Sequence, residues 1–514
     1  TMKNLKYLFF SFLLIGLYSC NEVEDVLEDN GVSTPEDLPA LSAGSADFSN
    51  YVAIGNSLTI GVTDNGVFRA TQTNSYPNIL AGQFSSVGGG EFVQAMTADN
   101  YGGLSLGPDN GVPITEGGTR IFGPRLVFNG SGPAGLESVI GPVTVGTNLL
   151  DNPTGPFNNL GVPGARSFHL IAPGYGNLGN LALGLANPYA VRLTGSTPNA
   201  SIMELALAQS PTFVSLWIGA NDVLSYATSG GSNGALTPQA TFDASMDAIA
   251  GALSTTGAQG VMANIPYVTD IPFFTTVPYN AVPLDATTAA AVNGGYAAYN
   301  GGIQAALAAL DGTGLFTAEE AAARTISFSE GQNAVVIEDE NLTDLGAINP
   351  AFAALPKYRQ ATEDDLVVLL AASFIGTLAD PNNPASVNGV GVPLADNWVL
   401  TKTEIDEITN MIDHINGKIS SMATQLGYAH FDANDMFQQI FRGDITYNSF
   451  NPNASLVFGG MMSLDGVHPT SRGYAVIANE FMKAIDETYG SNFEASGNLV
   501  DIGDYPTNYS PLLQ

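Results

Sequence analysis

Cysteine is almost absent from these 514 residues: Cys20 is the only one. No intramolecular disulfide can form, and no Cys/His cluster shows metal-ligand spacing. Cations are scarce too, with 15 Lys and Arg against 48 Asp and Glu and a net charge of −33. Such a field repels nucleic acid and anionic head groups, which argues against nucleic-acid binding and favours neutral substrates. Charged residues of both signs make up only 12%, so this is not the composition of a disordered acidic chain. Tryptophan occurs twice, as Trp217 and Trp398. There is no EF-hand loop and no phosphate-binding glycine loop, so no metal and no cofactor is expected. Long apolar runs are missing: the best, residues 7–18, is too short to span a membrane.

What is present is ample core material, 45% apolar, in a chain long enough for one large domain or two to three ordinary ones. The apolar run follows a short basic start, Lys3 and Lys6, and ends in Leu17, Tyr18, Ser19 and Cys20. This resembles a bacterial lipoprotein signal (residues 1–20) with its lipobox, which implies cleavage before Cys20 and lipidation of its thiol. Losing Lys3 and Lys6 would take the net charge from −33 to −35. The acidic run Glu22, Val23, Glu24, Asp25 is similar to the export tags of lipoproteins in Bacteroidetes-type bacteria. The expected location is therefore the outer membrane, anchored at Cys20, with the cell surface as one option. Residues 21–48, rich in Glu, Asp, Ser, Pro and Gly, read as a flexible tether.

The main domain is expected over 49–490. Strands are expected at 50–55, 91–95, 213–218, 260–265 and 428–432, and helices at 76–84 and 242–253. Residues 85–155 are Gly/Pro/Asn-rich and read as an ordered insertion with small strands at 119–122 and 125–128. A second insertion, 270–400, carries Ala-rich helix candidates at 289–310 and 363–375. It is either a helical cap or extra packing on the back of the sheet. Thr401 and Glu404 form a capping-box pattern opening a helix with Ile405, Ile408, Ile412, Ile415 and Ile419 on one face, ending near Gly427. A further helix runs to about 485, and 491–514 reads as an extended surface tail.

Four stretches carry chemistry. The first strand ends in Gly55, Asn56, Ser57 and Leu58, a corner that can lift a serine hydroxyl above the sheet. The loop Gly161, Val162, Pro163, Gly164 can bring a bare N–H close to a reacting oxygen. Gly219, Ala220, Asn221 and Asp222 follow a buried strand directly. Asp465 and His468 are three apart, a spacing that puts both side chains on one side of a turn. The other histidines read differently: His414 lies on a helix, His430 lies in the last strand, and His169 follows the second stretch with no carboxylate beside it.

Together these four stretches resemble the blocks of the SGNH/GDSL hydrolase family, in the right order and spanning residues 51 to about 485. The resemblance implies a three-layer α/β/α sandwich with a parallel, flavodoxin-like sheet. It implies Ser57 as nucleophile, His468 as general base and Asp465 as its orienting acid. The oxyanion hole would be the N–H of Ser57, the N–H of Gly164 and the side-chain amide of Asn221. The family usually has Asp where this chain has Asn56, which removes a charge beside the nucleophile.

The function expected is a serine ester hydrolase of the lipase or acyl esterase type, acting on a small-molecule or lipid ester. A carbohydrate O-acetylesterase is the rival chemistry; with two tryptophans its sugar platforms would have to be tyrosines. A non-catalytic surface-binding lipoprotein on the same scaffold is the rival class.

Overall fold

Two apolar runs without polar alternation, Tyr51–Gly55 (β1) and Phe213–Trp217 (β3), are adjacent strands buried along their whole length, as parallel strands covered on both faces are. The computed structural model describes residues 38–447 and 449–514. β2 is Asn159–Gly161, β4 Gln259–Ala263 and β5 Ala429–Phe431. The five strands pair in the order β2-β1-β3-β4-β5, all parallel. This is the doubly wound, flavodoxin-like order, in which ligands bind where the winding reverses, at the carboxyl ends of β1 and β3.

Helices cover both faces. Tyr76–Ser85 (α2) packs on Ser471–Tyr489 (α7). There the Tyr76 ring stacks on Phe481 at 4.7 Å, and both meet the buried Trp217 edge-on. On the other side Gln239–Ser254 (α4) packs on Lys402–Leu426 (α6). α6 buries Ile408, Ile412, Ile415 and Ile419, the stripe its period of 3.6 dictates. Its Glu404 carboxylate accepts from Thr401 N (2.7 Å) and Thr401 Oγ1 (2.8 Å), and Gly427 closes it in the left-handed region. The three-layer α/β/α architecture expected from sequence is the one observed.

Several local expectations need correction. No strand forms at 91–95. Val93 is held instead by Asn158, through its side-chain oxygen (2.9 Å) and backbone N–H (2.8 Å), with a longer bond from Asn159 N. The neighbour of β1 is β2 instead. Residues 363–375 are not a helix: Leu366–Val367 pairs with Val399–Leu400, followed by a 3-10 turn at Leu369–Ser373. Asp365 accounts for this, since its carboxylate takes two bonds from Arg359 (2.6 and 2.7 Å) and one from Thr362 N, closing a turn.

The signal segment and Cys20 lie outside the described residues, as does 21–37. Residues 38–48, read as tether, are pinned down: Ser45 N donates to Tyr489 O, and Phe48 is buried, stacked on Phe84. The tail is likewise fastened, with Arg125 donating to Ser510 O and Asn100 to Gln514 O. No described helix is long and apolar enough to cross a membrane.

The insertion at 270–400 divides in two. Its helix Ala286–Ala309 (α5) builds a small core of its own from Ile303, Ala306, Leu310, Phe316, Ala321 and Leu345. Two other stretches of the insertion reach the Asp465–His468 turn: Phe273 N donates to Gly466 O at 3.0 Å, and Leu369 shares a cleft with His468.

Candidate active site

β1 ends at Gly55, where a Cβ would lie 2.2 Å from Thr59 Oγ1 and 2.4 Å from Trp217 O, so no larger residue fits the corner. The chain turns there into the short helix Ser57–Ile60 (α1), capped by Asn56, whose Oδ1 accepts from Leu58 N at 3.0 Å. Ser57 is thereby set at the top of β1, buried to 7% exposure. β3, the neighbouring strand, ends level with it, Gly55 pairing with Trp217, and Asn221 opens the helix Asn221–Ala227 (α3). Both residues stand at the switch point.

Asn221 Nδ2 donates one hydrogen to Ala165 O at 3.0 Å, which ties it to the loop after β2. In that loop Gly164 has φ +77°, a left-handed conformation that glycine takes without strain. Among the described residues, neither Gly164 N nor Ser57 N donates to a protein acceptor. The loop is held by Asp222, fully buried, which accepts from Ser167 N (2.9 Å) and Ser167 Oγ (2.8 Å). Burial raises the Asp222 pKa, against the pull of these bonds.

Asp465 and His468 are brought together as their spacing predicts. His468 Nδ1 lies 2.8 Å from Asp465 Oδ2. Asp465 Oδ1 accepts from Val467 N (2.8 Å), His468 N (2.9 Å) and Ser463 Oγ (3.1 Å). Burial pushes its pKa up, but the imidazole beside it and these N–H bonds win and hold it at about 2. His468 then opens into one cleft with Ser57 and Asn221. No hydrogen bond joins the Ser57 hydroxyl to the imidazole in this structure; without a substrate such bonds are often long and tighten only when one binds.

Sequence reading missed what holds this turn. Residues 63–65 are laced to it: Thr63 Oγ1 donates to Pro469 O, Asp64 N to Ser463 Oγ, Leu464 N to Asp64 Oδ1, and Asn65 N to Asp465 Oδ2 at 2.8 Å. Asp64 and Asn65 both take positive φ, which Asp and Asn tolerate better than most residues. Asp64 is fully buried, and its Oδ2 has no partner. Burial, with Asp465 close by, raises its pKa to about 7, although Leu464 N and Arg125 oppose the shift. The only signal for this in the sequence is two adjacent turn formers, Asp64 and Asn65.

The other histidines stay outside the cleft. His169 stacks on Tyr175 and accepts from Arg166 N; burial, then Arg166, lowers its pKa to about 4. His414 pairs with Asp243, and His430 Nε2 is buried without a partner. Three carboxylates, Glu340, Asp396 and Glu404, converge elsewhere within 4.8 Å.

A serine, an imidazole oriented by a carboxylate and unpaired N–H donors at one rim form the arrangement that acyl transfer uses. No protein-family model and no curated protein matches the chain. Among solved structures, it is similar to an extracellular lipase from Streptomyces rimosus, with 12% identity over 86% of this chain and 99% of that one, TM-score 0.29. It is also similar to a candidate GDSL-like lipase from Parabacteroides merdae ATCC 43184, with 11% identity over 86% and 98%, TM-score 0.29. At these scores the likenesses carry no weight of their own; strand order and site geometry do.

Proposed function

We propose that the protein is a serine ester hydrolase of the lipase or acyl esterase type. The observation that carries this is the convergence of Ser57, Asn221 and a carboxylate-paired His468 on one cleft at the β1/β3 switch point. Ser57 Oγ attacks the ester carbonyl as His468 Nε2 takes its proton. Asp465 holds the imidazole and stabilises its charge. Ser57 N, Gly164 N and Asn221 Nδ2 receive the oxyanion, each donor worth on the order of 3 kcal/mol in the transition state. His468 then protonates the leaving alcohol, and water releases the acyl group by the same steps. We further propose that Cys20 carries a lipid that anchors the enzyme at the bacterial outer membrane.

Apolar esters suit this cleft better than acetylated glycans. Leu224, Ile271 and Phe437 wall it, and among the described residues neither a tyrosine nor a tryptophan lines it as a sugar platform. The test is hydrolysis of p-nitrophenyl esters from acetyl to long acyl chains, together with acetylated glycans. The wild type should turn over the simple esters, and Ser57→Ala should abolish turnover. An inert wild type would leave the non-catalytic binding protein as the better reading.

A further inference from the structure

Two clefts of unequal size meet at His468. One holds Ser57 and Asn221 and is walled by Leu224, Ile271 and Phe437. The other lies across the Val467–His468 turn and is lined by Leu126, Phe273, Leu369, Leu456 and Leu464. Val467 and His468 are the two residues common to both. The free space is about 40 Å³ in the first and about 460 Å³ in the second. On the same measure the first cleft is about tenfold the tighter, which favours a short acyl group over a long one. The second has room for a long alkyl chain or a ring system.

The larger cleft continues outward. Leu126 and Phe128 lie on one face of a short strand, with Val127 buried on the other. The Phe128 ring meets Phe458 edge-on at 5.7 Å. Phe458 is 80% exposed and Leu370, on the cleft wall, 62%. Large apolar side chains gathered around an apolar cleft mark a surface that meets an apolar ligand.

We propose that this second cleft binds the alcohol arm of the substrate, an apolar alkyl or ring alcohol, while a short acyl group occupies the cleft at Ser57. The assignment rests on the ester hydrolase reading. Attack forms the bond from Ser57 Oγ to the acyl carbon, so the acyl group must stay in the cleft that holds Ser57. The C–O bond to the alcohol breaks as its oxygen receives the proton that His468 took from Ser57. The alcohol therefore departs on the imidazole's side, and the wall it meets beyond the imidazole is the larger cleft.

Two ester series test this on the purified protein. With the acyl group fixed as acetyl, lengthening the alcohol from methyl to octyl should lower KM by about tenfold or more, since each buried methylene adds to binding. With p-nitrophenol fixed, lengthening the acyl group beyond butyryl should lower kcat/KM by a similar factor. Leu370→Glu, a change at an exposed position that leaves folding alone, should raise KM for octyl acetate about tenfold more than for methyl acetate, because it places a charge on the apolar wall. Leu369→Asp should do the same. If Leu370→Glu alters the acyl series instead, the two arms are reversed and the proposal falls. It falls equally if neither series depends on the variant. Absence of any turnover, with Ser57 unlabelled by a fluorophosphonate, would overturn the hydrolase reading itself, a different outcome from turnover with the wrong chain-length dependence.

Discussion

Asp222 is fully buried and Asp465 largely so; both brace a turn at the rim of the sheet, and both accept N–H and O–H bonds from neighbouring residues. Burial pushes both pKa values up, yet Asp465 ends at about 2 and Asp222 ends above its ordinary value. The difference is the imidazole. Asp465 is bonded directly to a group that can carry positive charge, whereas Asp222 is bonded to the neutral donors of Ser167 and feels the Arg166 cation only as the smallest of the influences that oppose burial. Neutral hydrogen bonds lower a carboxyl pKa, but here they do not offset desolvation; a paired charge does. On the proposed mechanism, one turn holds charge during the reaction and the other holds a backbone N–H in place.

The comparison breaks if the two carboxylates respond alike to mutation. Asp465→Asn should lower kcat by on the order of 10³–10⁴, as loss of the orienting acid does in other serine triads, and should also lower the unfolding temperature near neutral pH, since the depressed pKa of Asp465 contributes to folding. Asp222→Ala leaves the N–H and O–H of Ser167 unpaired in the interior and should lower unfolding free energy by about 1–3 kcal/mol in urea titrations. Its effect on turnover should be smaller than that of Asp465→Asn; an equal loss would erase the division between the turns.

Asp64 sharpens the comparison, because it is a buried carboxyl beside the same turn with no imidazole of its own. Its folded pKa, about 7, lies above the ordinary 3.8. The folded state therefore holds more protons than the unfolded one between about pH 4 and 7, and stability drains away as pH rises through that window. Asp64→Asn keeps an oxygen for Leu464 N and removes the ionisation. The variant should gain stability relative to wild type from pH 4 to 7, with the gap constant above that; thermal unfolding across pH measures it. Asp465 has the opposite sign. Its folded pKa is depressed, so its contribution is complete above pH 3.8 and is lost as pH falls toward 2. The smallest effect expected is that of Asn56→Asp. The cap to Leu58 N survives, and a charge at a helix start is typically worth about 0.3–1 kcal/mol, so turnover should change by less than about fivefold.

The five residues at the rim were legible because each follows a strand or sits in a turn whose residue types announce it. Ser57 and Asn221 come straight after apolar runs, and the Asp465 to His468 spacing is short enough to read along the chain. What joins them was not legible. The lacing of Thr63, Asp64 and Asn65 onto residues 463–469 links positions some 400 apart in the chain, and no local pattern encodes that. β2 was missed because Asn159, Leu160 and Gly161 have little strand propensity; pairing to β1 makes them a strand. The 363–375 segment was misread because its leucines and alanines suit a helix, while Arg359, outside it, captures Asp365 and closes a turn.

The most direct measurement is a crystal structure of the protein after reaction with a short alkyl fluorophosphonate, whose phosphoryl oxygen stands in for the oxyanion. The account predicts phosphorus bonded to Ser57 Oγ, with that oxygen about 2.7–3.1 Å from Ser57 N, Gly164 N and Asn221 Nδ2, and His468 Nε2 within hydrogen-bond reach of the serine oxygen. An adduct on Ser57 whose oxygen points away from these three donors, or no adduct at all, would contradict it.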